Sequence, residues 1–175
     1  ASPMPSPIAI RPLSAADAPA FVEAARRSRQ LHRPWTTAPC DEAAFAQLLS
    51  RMDGRVNFAF VVVHEASGEL AGAIHLTNVV YGAFCSGYLG YYAFRGHEGR
   101  GCMKQGLSQV VRHAFGPLGL HRLEANIQPG NLASIALVRA CGFSREGYSP
   151  AYLKIGGRWR DHERWARVRG RAQAL

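Results

Sequence analysis

The residues of this chain best placed for chemistry lie in Tyr91-Tyr92-Ala93-Phe94-Arg95-Gly96-His97-Glu98-Gly99-Arg100-Gly101-Cys102-Met103. A strand-like run ends, glycines follow at 96, 99 and 101, and an amphipathic helical pattern begins. Glycine takes positive φ and lets a ligand approach the backbone. A helix start leaves several N–H groups unpaired and carries positive partial charge. Together these make an anion site fit for a pyrophosphate. Two rival motifs fail on their residues. A Walker loop needs Lys followed by Ser or Thr after its last glycine, where Cys102-Met103 stands. The dinucleotide pattern G-x-G-x-x-G needs a glycine where Lys104 stands. A structural turn is the other reading of the same glycines.

The frame strand, [Q/R]-x-x-G-x-[G/A], helix resembles the acyl-CoA loop of the GNAT superfamily of acetyltransferases, and Glu98-Gly99-Arg100-Gly101-Cys102-Met103 occupies it. It departs at both ends: Glu98 stands for Gln or Arg, and Met103 for Gly or Ala. A carboxylate beside a pyrophosphate is repulsive unless it points away. Met103 matches one branch, the RimJ/RimL-like ribosomal-protein-alanine N-acetyltransferases. Further segments resemble that branch: Asn78–Phe84 with Tyr88-Leu89-Gly90-Tyr91, then Pro129-x-Asn131-x-x-Ser134, Cys141-Gly142-Phe143-x-x-Glu146-Gly147, and Tyr152–His162. The resemblance spans about residues 8–168.

It implies acetyl transfer from acetyl-CoA to an amine, directly in a ternary complex. Backbone groups of Ala93 and Phe94 are expected to hold the thioester arm, with residues 98–103 gripping the pyrophosphate. Asn131 is expected to position the arm near its sulfur, and Ser134 to give a proton or hydrogen bond to the leaving thiolate. Both also read as an N-cap signature, because Pro-Gly-Asn precedes an apolar run. Glu124 is the candidate base, on one strand face with Asn126 and Gln128; a carboxylate paired with Arg122 or Arg145 is an equal account. His75, His97 and Tyr88, near the same cleft, read as structural. There is no G-x-S-x-G elbow and no paired Cys/His for a covalent route.

The branch suggests a protein N-terminal amine as acceptor, a ribosomal protein among the candidates. An α-amine has a pKa of about 7.7–8.0 against about 10.4 for lysine, so a water chain suffices as base. The alternatives are a small amine, such as a polyamine or amino-sugar, and a non-catalytic acyl-CoA-binding or RNA-associated module. Acceptor loops are expected at 32–40 and 80–87.

The elements that must position these groups follow from pattern. Ile8–Pro12 reads as a first strand. Ser14 or Asp17 caps a helix running to about Leu31, with Pro19 in its first turn. Asp41 caps a second helix, with Phe45, Leu48, Leu49 and Met52 at helical spacing, ending near Gly54. Strands are expected at 57–64, 70–80 and 87–94, then a helix over 102–115 with Met103, Leu107, Val110, Val111 and Ala114 as its buried stripe. A strand at 121–127, a helix at 132–141 and a strand at 143–148 follow. Residues 152–155 and 158–168 pair through Gly156-Gly157. The order β-α-α-β-β-β-α-β-α-β-β gives one α/β (α+β) domain: a mixed, mainly antiparallel sheet of about seven strands flanked by helices.

The 175 residues suit a single domain over 8–168, with residues 1–7 a disordered leader lacking signal-peptide features and 169–175 a basic tail. No run is apolar enough to span a bilayer. Four scattered cysteines without a C-x-x-C pair, and seven histidines without ligand spacing, argue against a metal or a disulfide framework. A cytoplasmic protein is expected, monomer or homodimer. The net charge of +9 favours anionic partners, acetyl-CoA included, argues mildly against a strongly basic acceptor and leaves nucleic acid undecided.

Overall fold

The computed structural model describes residues 7–171, so all of the expected leader but Pro7, and residues 172–175 of the tail, lie outside the described residues. Seven strands form one sheet: β1 (Ile8–Pro12), β2 (Phe58–His64), β3 (Leu70–Val80), β4 (Ser86–Ala93), β5 (Arg122–Ile127), β6 (Ser144–Ile155) and β7 (Arg158–Val168). Their spatial order is β1-β2-β3-β4-β5-β7-β6. Every neighbouring pair is antiparallel except β4 and β5. Helices α1 (Ala18–Arg27), α2 (Arg29–His32), α3 (Glu42–Arg51), α4 (Cys102–Phe115) and α5 (Leu132–Ala140) complete the domain. It is the single mainly antiparallel α/β domain that the pattern predicts.

Alternation along β2 builds both cores, because successive side chains point to opposite faces. Phe60 and Val62 face α4, whose stripe of Leu107, Val110, Val111 and Ala114 is fully buried with Leu76 and Ile74. Val61 and Val63 face the other layer with Phe21 and Val22 of α1 and Phe45 and Leu48 of α3. Phe21 anchors that layer, its ring centroid 5.2 Å from Phe45 and 5.3 Å from Phe94. Asp41 caps α3 by accepting from the Ala44 amide at 2.7 Å.

Two elements differ from expectation. The first helix breaks at Ser28, which is fully buried; its hydroxyl donates to the Ala24 carbonyl at 2.6 Å and accepts from the Arg95 amide at 2.8 Å. A hydroxyl that back-bonds to residue i−4 bends a helix, and here it ties the bend to the end of β4. The runs 143–148 and 152–155 are one strand, β6, with a register shift between Ser149 and Leu153. The irregularity is held from β7: Asp161 accepts from the Ala151 amide at 2.8 Å and from the Tyr148 hydroxyl. Pro150, which has no N–H, sits where the pairing lapses.

Helix α4 lies close on the sheet because residue 106 is glycine. A Cβ there would stand 2.7 and 2.9 Å from the two methyls of Val62, which is fully buried. The substitution Gly106→Ala gains up to about 1 kcal/mol of helix propensity and costs about 1–3 kcal/mol of overpacking. We expect net destabilisation by urea unfolding, and a much smaller or reversed effect in a Val62→Ala background.

Candidate active site

The site starts where two strands part. Strand β4 pairs with β5 only from Ser86↔Arg122 to Leu89↔Ala125. Beyond that, β4 stays with β3 as far as Ala93↔Gly72, and β5 stays with β7 as far as Ile127↔Glu163. The gap leaves the inner edge of Gly90–Ala93 without a strand partner. Strand residues turn their N–H and C=O alternately to one neighbour and the other. The Phe94 amide donates to Ala71 across β3 at 2.9 Å. Tyr92 therefore faces β3 too, while Tyr91 and Ala93 face the gap. This corrects the expectation for Phe94: its N–H is spent in the sheet and its side chain is fully buried against α1. Ala93 lines the gap, and its carbonyl accepts from His32 Nε2 at 2.7 Å. Burial pushes the His32 pKa down, so the ring is neutral with its proton on Nε2.

At the mouth of the gap, the glycine loop leads into α4. Gly99 and Gly101 both have φ of 75°, and nothing lies within 4 Å of where their Cβ atoms would be. Gly101 is the N-cap of α4, so the N–H groups of its first turn open onto a cavity of about 290 Å³. Glu98, Gly99, Gly101, Cys102, Met103 and Lys104 line it from the loop, with Ala93, Asn131 and Ser134 opposite. Arg100 is exposed and is not among the lining residues. The arrangement fits a phosphorylated ligand with an extended arm.

Both departures from the family frame have a physical account. Glu98 turns its carboxylate back on its own loop, where Oε2 accepts from the Gly96 amide at 2.6 Å. Bonds from loop N–H groups, its own first, hold it below the usual carboxylate range, so it is ionised at neutral pH. Met103 sits over Gly72, where any Cβ would collide with the Met103 sulfur and the Tyr92 carbonyl. A glycine on β3 thus makes room for a long side chain at the start of α4.

On the far wall, Asn131 caps α5, its Oδ1 accepting from the Ser134 amide at 3.3 Å, while both residues line the gap. The Ser134 hydroxyl lies 2.8 Å from the Tyr91 hydroxyl, and Tyr91 also donates to the Ser134 carbonyl at 3.1 Å. Burial pushes the Tyr91 pKa up, so the phenol keeps its proton. Burial likewise raises the pKa of Cys102, which lines the cavity as a thiol rather than a nucleophilic thiolate. Glu124 bonds Arg122 at 2.9 Å, and Arg122 bonds Glu146 at 2.8 Å. It is not among the residues that line the cavities described, and its geometry is that of the ion-paired carboxylate.

Several contributors carried no pattern in the sequence. Tyr91 reads as one more strand aromatic, and Trp35 and Thr36 reach the gap from the loop after α2. His97 lines the loop cavity and is bonded on both sides, to His64 Nε2 at 2.9 Å and to Glu69 at 3.1 Å. That chain pins the loop to the β2–β3 turn. His75 accompanies Tyr92, their contact 3.2 Å long. Of the expected acceptor loops, 32–40 lines the gap and 80–87 does not line the cavities described. Among the described residues, no group of three or more His, Cys, Asp or Glu is set to hold a metal. No described helix is long and apolar enough to cross a membrane.

The sequence matches the family model for the acetyltransferase (GNAT) domain over residues 8–144. It is 31% identical over 143 residues to the Escherichia coli [ribosomal protein uS5]-alanine N-acetyltransferase, covering 77% of this chain and 74% of that one. The Mycobacterium smegmatis RimJ structure in complex with CoA-disulfide superposes with a TM-score of 0.85 at 26% identity, over 93% of this chain and 82% of that one. A Vibrio cholerae spermidine N-acetyltransferase, solved with CoA and spermine, shares the fold with a TM-score of 0.77 at 21% identity, over 92% and 95% of the two chains. The chain belongs to the GNAT acetyltransferase family. It is an acetyl-CoA-dependent N-acetyltransferase, and acetyl-CoA is its cosubstrate.

Replacing the ionised Glu98 by Gln removes a negative charge from the rim of an anion site but keeps a side chain able to accept from Gly96. We expect Glu98→Gln to tighten acetyl-CoA binding about two- to fivefold at low salt, the difference shrinking at 0.3 M salt. Calorimetric titration at the two ionic strengths checks this.

Proposed function

We propose that this enzyme acetylates the α-amine of a protein N-terminus, a ribosomal protein among the candidates, in the cytoplasm. The observation that carries the reading is the lack of a free carboxylate at the acyl end of the gap. Among the described residues, the only carboxylate lining the loop cavity is Glu98, which is turned onto its own loop, and the deeper part of the gap has none. A site without a strong base suits an amine that is already partly neutral. At pH 7 roughly a tenth of α-amines are neutral, against fewer than about one in a thousand lysine amines. The likeness to the uS5-alanine enzyme and to RimJ supports the same choice.

Acetyl-CoA supplies the acyl group as a thioester. On this reading the loop N–H groups from Gly99 to Lys104 hold its pyrophosphate, and the inner edge at Tyr91 and Ala93 receives its arm beside Asn131. Ser134 gives its proton toward the departing sulfur as the C–S bond breaks, and Tyr91, hydrogen-bonded to the Ser134 hydroxyl, positions it. The proton shed by the attacking amine returns through water to Ser134. Glu124 acts through Arg122 to fix β5. The amine attacks directly, since the buried Cys102 stays protonated.

The test is an acceptor screen with N-terminal peptides, lysine-blocked peptides and spermidine. Turnover of peptides with a free α-amine is expected, and spermidine turnover without any peptide turnover would sink the proposal. Ser134→Ala should lower kcat about 10²-fold while leaving acetyl-CoA affinity within about twofold, read by steady-state kinetics and calorimetry. An equal loss of affinity would instead make Ser134 part of the binding surface.

A further inference from the structure

A second cavity, of about 670 Å³, shares His32, Thr36 and Tyr92 with the cofactor gap and lies between α2, α3 and the loop 33–41. Three arginines from two elements stand around it: Arg29 opens α2, Arg33 follows its end, and Arg51 ends α3. None of the three forms an ion pair with a carboxylate among the described residues. The one acidic side chain lining the cavity, Asp41, is engaged as the cap of α3. The histidines of the floor do not offset the arginines. His75 is pushed down to about 4, by burial first and by the positive field of Arg51 second, and His32 is pushed down by burial. The lining therefore carries three positive charges against one negative. The loop that frames it is fixed, since Arg26 Nε donates to the Cys40 carbonyl at 2.7 Å.

We propose that this cavity takes the residues following the acetylated amine, and that Arg29, Arg33 and Arg51 select an acceptor that carries acidic side chains there. The inference rests on the N-terminal-amine reading and specifies it: the acceptor is an acidic peptide N-terminus, not a polycation. A chain whose amine lies at the Gly90–Ala93 edge passes Tyr92 and Thr36 directly into the arginine-rimmed space. A polyamine in the same path meets three like charges, and like-charge juxtaposition rejects a partner as effectively as complementarity attracts one.

The experiment compares three peptides with one N-terminal residue and Glu, Gln or Lys at the second to fourth positions, at saturating acetyl-CoA. The KM is expected to be roughly tenfold lower for the Glu peptide than for the Lys peptide at low salt, narrowing at 0.3 M. The double charge reversal Arg33→Glu with Arg51→Glu should invert that order, while Arg51→Lys keeps it. Calorimetry of the reversed variant should show unchanged acetyl-CoA affinity. Equal KM for all three peptides would overturn this inference and leave the proposed function standing. Lost acetyl-CoA affinity with an unchanged peptide order would assign the arginines to cofactor phosphates and overturn it as well. Turnover of spermidine alone would remove both readings.

Discussion

The structure depends on a parallel pairing that stops early. Strands β4 and β5 share four register pairs and then separate, each continuing with its outer neighbour. Unpaired backbone polar groups at the centre of a sheet are costly unless something else bonds them, so this parting must be answered by a ligand, by water or by side chains. Here side chains answer part of it: His32 takes the Ala93 carbonyl, and the α5 N-terminus brings Asn131 and Ser134 to the opposite wall. The remaining inner edge is the place an extended arm can occupy. The hydrophobic cores on both faces, the glycine contacts at 72 and 106, and the bend at Ser28 all hold that gap in shape.

On the proposed reading, electrostatics divide the site between two kinds of ligand. The loop at 98–103 offers an anion backbone N–H groups, which neither titrate nor swing away, and Glu98 folds its carboxylate back onto the Gly96 amide. The second cavity presents exposed guanidiniums, whose effect on a charged ligand is smaller per residue and sensitive to salt. On the proposed reading, acetyl-CoA binding belongs to the glycine loop and acceptor choice to the arginines around the second cavity. Between them, the acyl end is walled by groups held neutral: Tyr91 and Cys102 keep their protons, and His32 is uncharged.

Much of this was legible from the residues. The boundaries of β3, α4 and β7 follow directly from periodicity and glycine stops, and the capping of α3 by Asp41 and of α5 by Asn131 from side-chain chemistry. The anion loop is legible because glycine at 99 and 101 is the only economical way to reach positive φ before a helix. What was not legible depends on contacts distant in sequence. The break at Ser28 needs Arg95, 67 residues away, whose amide donates to the Ser28 hydroxyl. The single strand β6 needs Asp161 to bridge its irregularity. The family resemblance places the Phe94 backbone at the cofactor arm; one step of alternation instead commits its amide to Ala71. For Glu124, strand position leaves a base and an ion pair with Arg122 or Arg145 as equal accounts, and only the folded geometry shows that Arg122 takes its carboxylate. The partnership of Tyr91 with Ser134 joins two elements 43 residues apart and leaves no pattern in either.

The central claim is that the backbone of the glycine loop at the start of α4 holds the cosubstrate. The most direct test is calorimetric titration of acetyl-CoA into the wild-type chain and into Gly101→Asp, with circular dichroism to establish that both are folded. An aspartate at this position strains a backbone with φ of 75° and sets a negative charge among the N–H groups. The account predicts micromolar binding by the wild type and a loss of at least about a hundredfold in the folded variant. Equal binding by both proteins would contradict it and move the pyrophosphate away from this loop.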